Sequence, residues 1–194
     1  MLKYLTLTAA TAVLCCLPIN FIQADDPQIA HVRVLHTAPT TGPLTLTINE
    51  QPTVLPPLTY GTLTGWYTLE TETYLLRFTE ADTEQTLSRS LTLEHQQWIT
   101  VTVIGTPQHD TLTIHPVEEN YAEIAAGEAR LSVFNALDGS TPVDLMSDET
   151  ALLQYITYPN GQDGFVTVDL IASNYRFEIT ANGAPDQTLL DIDE

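Results

Sequence analysis

The chain carries a weak internal repeat. Val32, Val34 and His36 are matched 99 residues later by Leu131, Val133 and Asn135. Pro43, Leu44 and Leu46 are matched by Pro142, Val143 and Leu145, and the segment GWYTLE (65–70) by GFVTVD (164–169). The offset grows to 101 where Tyr74, Leu76 and Phe78 meet Tyr175, Phe177 and Ile179, as a two-residue loop insertion would produce. Identity is low, but the apolar positions hold register across four segments. A repeat of this kind implies two copies of one supersecondary unit.

The repeated unit is built from strands. Apolar and polar residues alternate over short runs bounded by turn-forming segments, which places alternate side chains on opposite faces of a sheet. In the first copy the runs are 31–37, 43–49, 52–58, 66–70, 73–79, 86–93, 97–104 and 110–116. Ile99, Val101 and Val103 mark one face, and Thr100 and Thr102 mark an outer one that adds no exposed apolar area. No stretch of the mature chain carries a helical stripe; the segment VEENYAEIAAGEA that joins the copies has room for one helical turn. These patterns predict an all-β protein of tandem two-sheet antiparallel β-sandwich modules, immunoglobulin-like or transthyretin-like, with the second incomplete. The expected division is a signal peptide over 1–24, a first module over 29–118, a linker over 119–126 and a second, truncated module over 127–194. The counterpart of the strand that opens at Trp98 would fall beyond Glu194, so the second module lacks two strands of the first and exposes an edge for self-association or another chain.

The first 24 residues combine Lys3, an apolar run and a small residue, Ala24, before Asp25 and Asp26. This is the pattern of a removable leader, so the chain is expected to be secreted or held in the cell envelope, with no transmembrane anchor after cleavage. Both cysteines, Cys15 and Cys16, lie in that leader, which leaves the mature chain without disulfides, thiolate nucleophiles or cysteine-based metal sites. With 25 acidic residues against 6 basic ones the formal net charge is −19, and nucleic acid or an anionic membrane would meet a repulsive field.

Catalytic signatures are missing. None of the five histidines forms an H-x-x-x-H pair, and His31 and His36 differ in parity along one strand, so they cannot share a metal. There is no G-x-S-x-G, no phosphate-binding glycine loop and no calcium loop. No cofactor and no metal site are expected. His36 precedes a Thr-Ala-Pro turn, and its counterpart Asn135 cannot act as a base; both suit a side chain that hydrogen-bonds the following turn. Trp66, matched by Phe165, is expected to plug the core. Tyr67 then falls on the opposite face, where, if exposed, it would meet a protein or glycan. Tyr67, Trp98 and His109 are the candidate ligand- or partner-binding residues.

These residues resemble the DUF4397 family of bacterial secreted and surface proteins. The resemblance rests on AHVRVLHTAP (30–39) as the opening strand, on Tyr60-Gly61, on Thr73-Tyr74 at a strand start, and on Gly105-Thr106 after a closing strand. Ala38 stands where the family often has serine, and Thr40 where it often has aspartate. The likeness implies β-sandwich modules at the cell exterior and carries no catalytic residues. The expected role is therefore a non-catalytic exported module for binding, adhesion or envelope structure, with a secreted glycan-hydrolysing enzyme as the alternative.

Overall fold

The computed structural model describes residues 28–159 and 164–192; the expected leader lies outside the described residues. The first unit contains β1 (Ile29–His36), β2 (Leu44–Ile48), β3 (Gln51–Pro52), β4 (Tyr67–Glu70), β5 (Thr73–Glu80), β6 (Thr86–Thr92), β7 (Trp98–Ile104) and β8 (Thr113–Glu118). The second contains β9 (Glu128–Val133), β10 (Val143–Ser147), β11 (Thr150–Ile156), β12 (Val166–Ile171), β13 (Phe177–Ala181) and β14 (Ala184–Ile192). The described fold is all-β apart from a single 3-10 turn at Pro107–His109.

In the first unit two four-stranded sheets, ordered β4-β1-β7-β8 and β3-β2-β5-β6, face one another. Ala30, Val32 and Val34 of β1 and Ile99, Val101 and Val103 of β7 meet Leu44, Leu46, Leu76 and Phe78 of the other sheet in one core. The alternation of each strand decides this: β1 runs half-buried, buried, half-buried throughout. The ladders are antiparallel except one, because β1 runs parallel to β7, with Val32 opposite Ile99 and Val34 opposite Val101.

The described part of the second unit repeats six of those eight strands. Its four-stranded sheet β11-β10-β13-β14 matches β3-β2-β5-β6, and its pair β12-β9 matches β4-β1. No described strand stands where β7 and β8 stand in the first unit. The consequence shows in the cores: sixteen buried hydrophobic residues cluster in the first unit and three, Val143, Leu145 and Ile156, in the second.

Some local expectations need correction. The run 52–58 pairs over Gln51–Pro52 alone, followed by a lone bridge from Leu58 to Leu44, because Pro56 and Pro57 have no N–H to donate to a ladder. The strand expected at 110–116 begins at Thr113, since Asp110 sits in the left-handed region (φ 57°) at the end of the 3-10 turn. The joining segment holds no helical turn. It lies on the outer face of β1 and β7, where Glu119 meets Arg33 and Thr100. Thr100 and Thr102, expected on an open face, are therefore fully buried. Beside them His115 and Val117 of β8 are covered by the second unit. The His115 ring lies 6.1 Å from Phe134, and a Cβ on Gly164 would sit 3.1 Å from Val117.

Candidate functional site

Residues that alternate outward from β1 and β7 build a ring cluster on the outer face of the first unit. His31 and Trp98 are cross-strand neighbours, and their rings stack at 3.8 Å between centroids. Tyr121, from the joining segment, stacks on Trp98 at 4.1 Å, and Trp66 stands edge-on to both Trp98 and Tyr121. The guanidinium of Arg33 lies 4.4 Å from the centre of the Trp66 ring, close enough for a cation–π contact. It also donates to Glu119 Oε1 at 2.6 Å and to Thr100 Oγ1 at 2.8 Å.

Trp66 therefore faces outward, not into the core, and Tyr67 shares the sheet-facing side of β4 with Leu69, where it is nevertheless 41 % exposed. Both segments around Trp66 and Phe165 obey the repeat, since Phe165 also lies outside its sheet, 5.3 Å from Phe134. Alternation fixed the two faces here but not which was inner, because both carry large apolar rings. Tyr67 lines a small apolar cavity of about 110 Å³ between the sheets, together with Val32, Leu46, Val54, Tyr74 and Val101.

Trp98 borders an open groove with Gln96, Glu118, Glu119, Asn120 and Tyr121. Trp98 is stacked by both His31 and Tyr121, and Glu119 is engaged by Arg33 and Thr100. Most of this chemistry clasps the joining segment to the sheet; Tyr121, 49 % exposed, is the ring that still presents itself to solvent. His31, Arg33, Glu119 and Tyr121 are missing from the sequence-based candidates. The shared outward parity of His31 and Arg33 was legible, but nothing local announced that residues 119–121 would fold back over them.

His109 is exposed and its Nδ1 lies 3.3 Å from Asp138 Oδ2. The same carboxylate accepts from Thr111 Oγ1 at 2.5 Å and from Thr106 Oγ1 at 3.3 Å. The Thr111 hydrogen bond is the leading reason why the Asp138 carboxyl is held below its usual range. His109 thus belongs to a latch between the 106–111 loop and the second unit. Among the described residues no group of three or more His, Cys, Asp or Glu could hold a metal ion. Tyr67, Trp98 and His109 do not converge: one stands at the solvent-open end of the cavity between the sheets, one in the outer cluster, one in the latch.

His36 is fully buried. Its Nδ1 accepts from the Ala38 N–H at 3.3 Å, which leaves the ring proton on Nε2, 3.2 Å from Thr41 Oγ1. The Thr41 hydroxyl in turn donates to Ala38 O. Burial lowers the His36 pKa, against opposing contributions from Gly42 and Glu80. Nearby Glu80 is held below its usual range by hydrogen bonds from the Thr83 hydroxyl and the Gly42 N–H, which outweigh its desolvation.

The least finished surface is in the second unit. Leu190 and Ile192 of β14 stand opposite Ile179 and Phe177 of β13, so they share the face that packs inward. They are nevertheless 56 % and 42 % exposed. In the first unit the matching face of β6 is closed by β8, to which Arg89 donates a hydrogen bond at the Ile114 carbonyl (2.8 Å). Leu131 and Val133 of β9 pack against the small core of Val143, Leu145 and Ile156.

No curated protein matches the sequence significantly. The model of a domain of unknown function, DUF4397, matches residues 30–146, from β1 through most of β10. With more than half of its length matched, across the sandwich and the turn held by His36, the chain belongs to the DUF4397 family.

Proposed function

We propose that the chain is an exported, non-catalytic β-sandwich protein that works by binding a macromolecular partner outside the cytoplasm. The observation that carries this reading is the ring cluster on the outer face of the first unit, where Tyr121, 49 % exposed, borders an open groove with Gln96, Glu118 and Asn120. An exposed aromatic ring flanked by polar side chains suits contact with a protein or a glycan. The apolar leader read from the sequence supports export.

The carboxylates argue against the glycan-hydrolysing alternative. A general acid for glycoside cleavage needs a raised pKa. Glu80, Asp138, Asp144 and Asp169 are instead all shifted downward, each held ionised by hydrogen bonds or an arginine. Glu119, beside the aromatic cluster, is occupied by Arg33.

The test is to present the mature chain to a glycan array and to purified cell-exterior proteins at low and high salt, with released sugar measured in parallel. Saturable retention without turnover is the expected result. Sugar release abolished by a single carboxylate substitution would replace this reading with the enzymatic one.

A further inference from the structure

We infer that the solvent-open cavity between the two sheets of the first unit binds a small aliphatic amine: it takes a straight chain of about four or five carbons, with the ammonium group held at the mouth by the Tyr67 hydroxyl. The cavity lies on the other side of the β4-β1-β7-β8 sheet from the ring cluster, and its ligand is independent of any macromolecular partner.

The mouth follows from the sheet order. β4 and β3 are edge strands of the two facing sheets, and the lining draws on both edges, with Tyr67 and Leu69 from β4 and Thr53, Val54 and Leu55 following β3. β3 pairs over two residues only, so a short loop bridges this edge of the sandwich where a ladder would close it. Val54 is 96 % exposed and Tyr67 41 %. Deeper in, the buried side chains of Leu46, Leu76 and Val101 close the space. The interior offers no polar group: the Thr53 hydroxyl donates to Leu46 O at 3.0 Å and the Tyr74 hydroxyl to Glu70 O at 3.1 Å. A bound water needs several polar partners, so the space suits carbon. Of the lining side chains only Tyr67 keeps a hydroxyl with no hydrogen-bond partner among the described residues.

Size and charge select the occupant. An apolar protein cavity of about 150 Å³ accepts a six-carbon ring, so the volume of about 110 Å³ holds about four or five carbons. A straight chain enters with its charged head still in water, which avoids burying the charge. No basic side chain lines the cavity, and Arg77 of β5 lies toward Glu50, at 3.9 Å. Burial and, after it, the carboxylates of Glu72 and Glu70 push the Tyr74 phenol up, which marks a negative field at this wall. With a formal net charge of −19 on the chain, an ammonium head is drawn to the mouth and a carboxylate head is repelled. A partner protein's lysine does not qualify, since it would enter ammonium first and carry its charge into the apolar interior.

The probes are propyl-, pentyl- and octylammonium chloride, 1-pentanol and sodium pentanoate, each titrated into the mature chain and followed by methyl NMR shifts. Expected are saturable shifts at the Leu76 and Val101 methyls, with affinity rising about fourfold per methylene from propyl to pentyl and level from pentyl to octyl. At low salt pentylammonium should bind more tightly than 1-pentanol and at least about tenfold more tightly than pentanoate, a gap that closes as salt rises. Tyr67→Phe removes the hydroxyl, and Val54→Lys puts a cation at the mouth. Both positions are exposed, so each variant should keep its melting temperature while weakening pentylammonium binding by at least about threefold. Val54→Lys should leave 1-pentanol binding unchanged. Leu76→Phe fills the cavity and should abolish the saturable shifts; if it lowers the melting temperature, the Tyr67 and Val54 variants decide. The site is overturned by an absence of saturable shifts at Leu76 and Val101, by affinity that keeps climbing from pentyl to octyl, or by pentanoate binding as tightly as pentylammonium. Binding untouched by both Tyr67→Phe and Val54→Lys overturns it as well.

Discussion

His36 and Asn135 hold the same turn with different chemistry. The His36 Nδ1 accepts the N–H of Ala38, two residues on, and its Nε2 meets the hydroxyl of Thr41, five residues on. Asn135 Oδ1 accepts the N–H of Leu137, and its Nδ2 donates to the hydroxyl of Ser140, the same two spacings. An acceptor and a donor on one short side chain are all the turn requires, and imidazole and carboxamide both provide them. His36→Asn should therefore cost about 1 kcal/mol, mostly for the smaller volume. His36→Leu, which strands the buried Ala38 N–H, should cost about 2–4 kcal/mol. Urea unfolding of the two variants measures the difference.

The same ring gives the protein a pH-dependent stability. Burial lowers the folded-state pKa of His36 below its ordinary 6.5, so between the two values the unfolded chain binds more protons. The contribution is complete above pH 6.5 and is lost as pH falls toward the folded value. The carboxyl of Glu80, held low by Thr83 and Gly42, adds a second decline below its ordinary 4.5. Unfolding midpoints followed from pH 8 to pH 3 should show both limbs in the native chain, and the first should vanish in His36→Asn.

Asp144 organises the second unit. Its carboxylate accepts from Asn182 Nδ2 at 2.7 Å, from the Tyr155 N–H at 2.8 Å and from the Gly183 N–H at 3.2 Å, and it is 4 % exposed. Desolvation pushes its pKa up, but the three donors outweigh it and leave the net shift downward. Asp144→Ala should destabilise the unit by about 2–4 kcal/mol, since it orphans buried donors. Limited proteolysis should then remove residues beyond about 127 while the first sandwich survives, which would also establish that the two units unfold separately.

Gly105 carries a positive φ of 87°, and a Cβ there would lie 2.3 Å from the Thr111 carbonyl oxygen. Gly105→Ala should cost at least about 2 kcal/mol, because strain and a backbone clash act together. Thermal unfolding checks this, and loosening of the 106–111 loop should raise the exchange rate of the Thr111 amide, which bonds to Thr106 O.

The ring stack makes a local prediction as well. Tyr121→Ala uncovers one face of Trp98 and should shift tryptophan emission to longer wavelength while speeding proteolysis within 119–126. A double-mutant cycle between Trp98 and Tyr121 should return a coupling of about 1 kcal/mol.

What the sequence determined by itself is local and periodic. Alternation placed most of the strands, the 99-residue offset exposed the second copy, and the His36/Asn135 exchange marked a turn and not a catalytic base. These follow from backbone geometry and short-range hydrogen bonding, which a few neighbouring residues fix. The tertiary structure decided which face is which, and with what each is covered. Trp66 and Tyr67 are adjacent and both aromatic, so periodicity could not tell outer from inner. Thr100 and Thr102 read as solvent-facing but are buried, since Glu119 and the second unit return over them from a distance in sequence. The parallel pairing of β1 with β7 is likewise non-local: it depends on chain closure between distant segments, which no local pattern encodes.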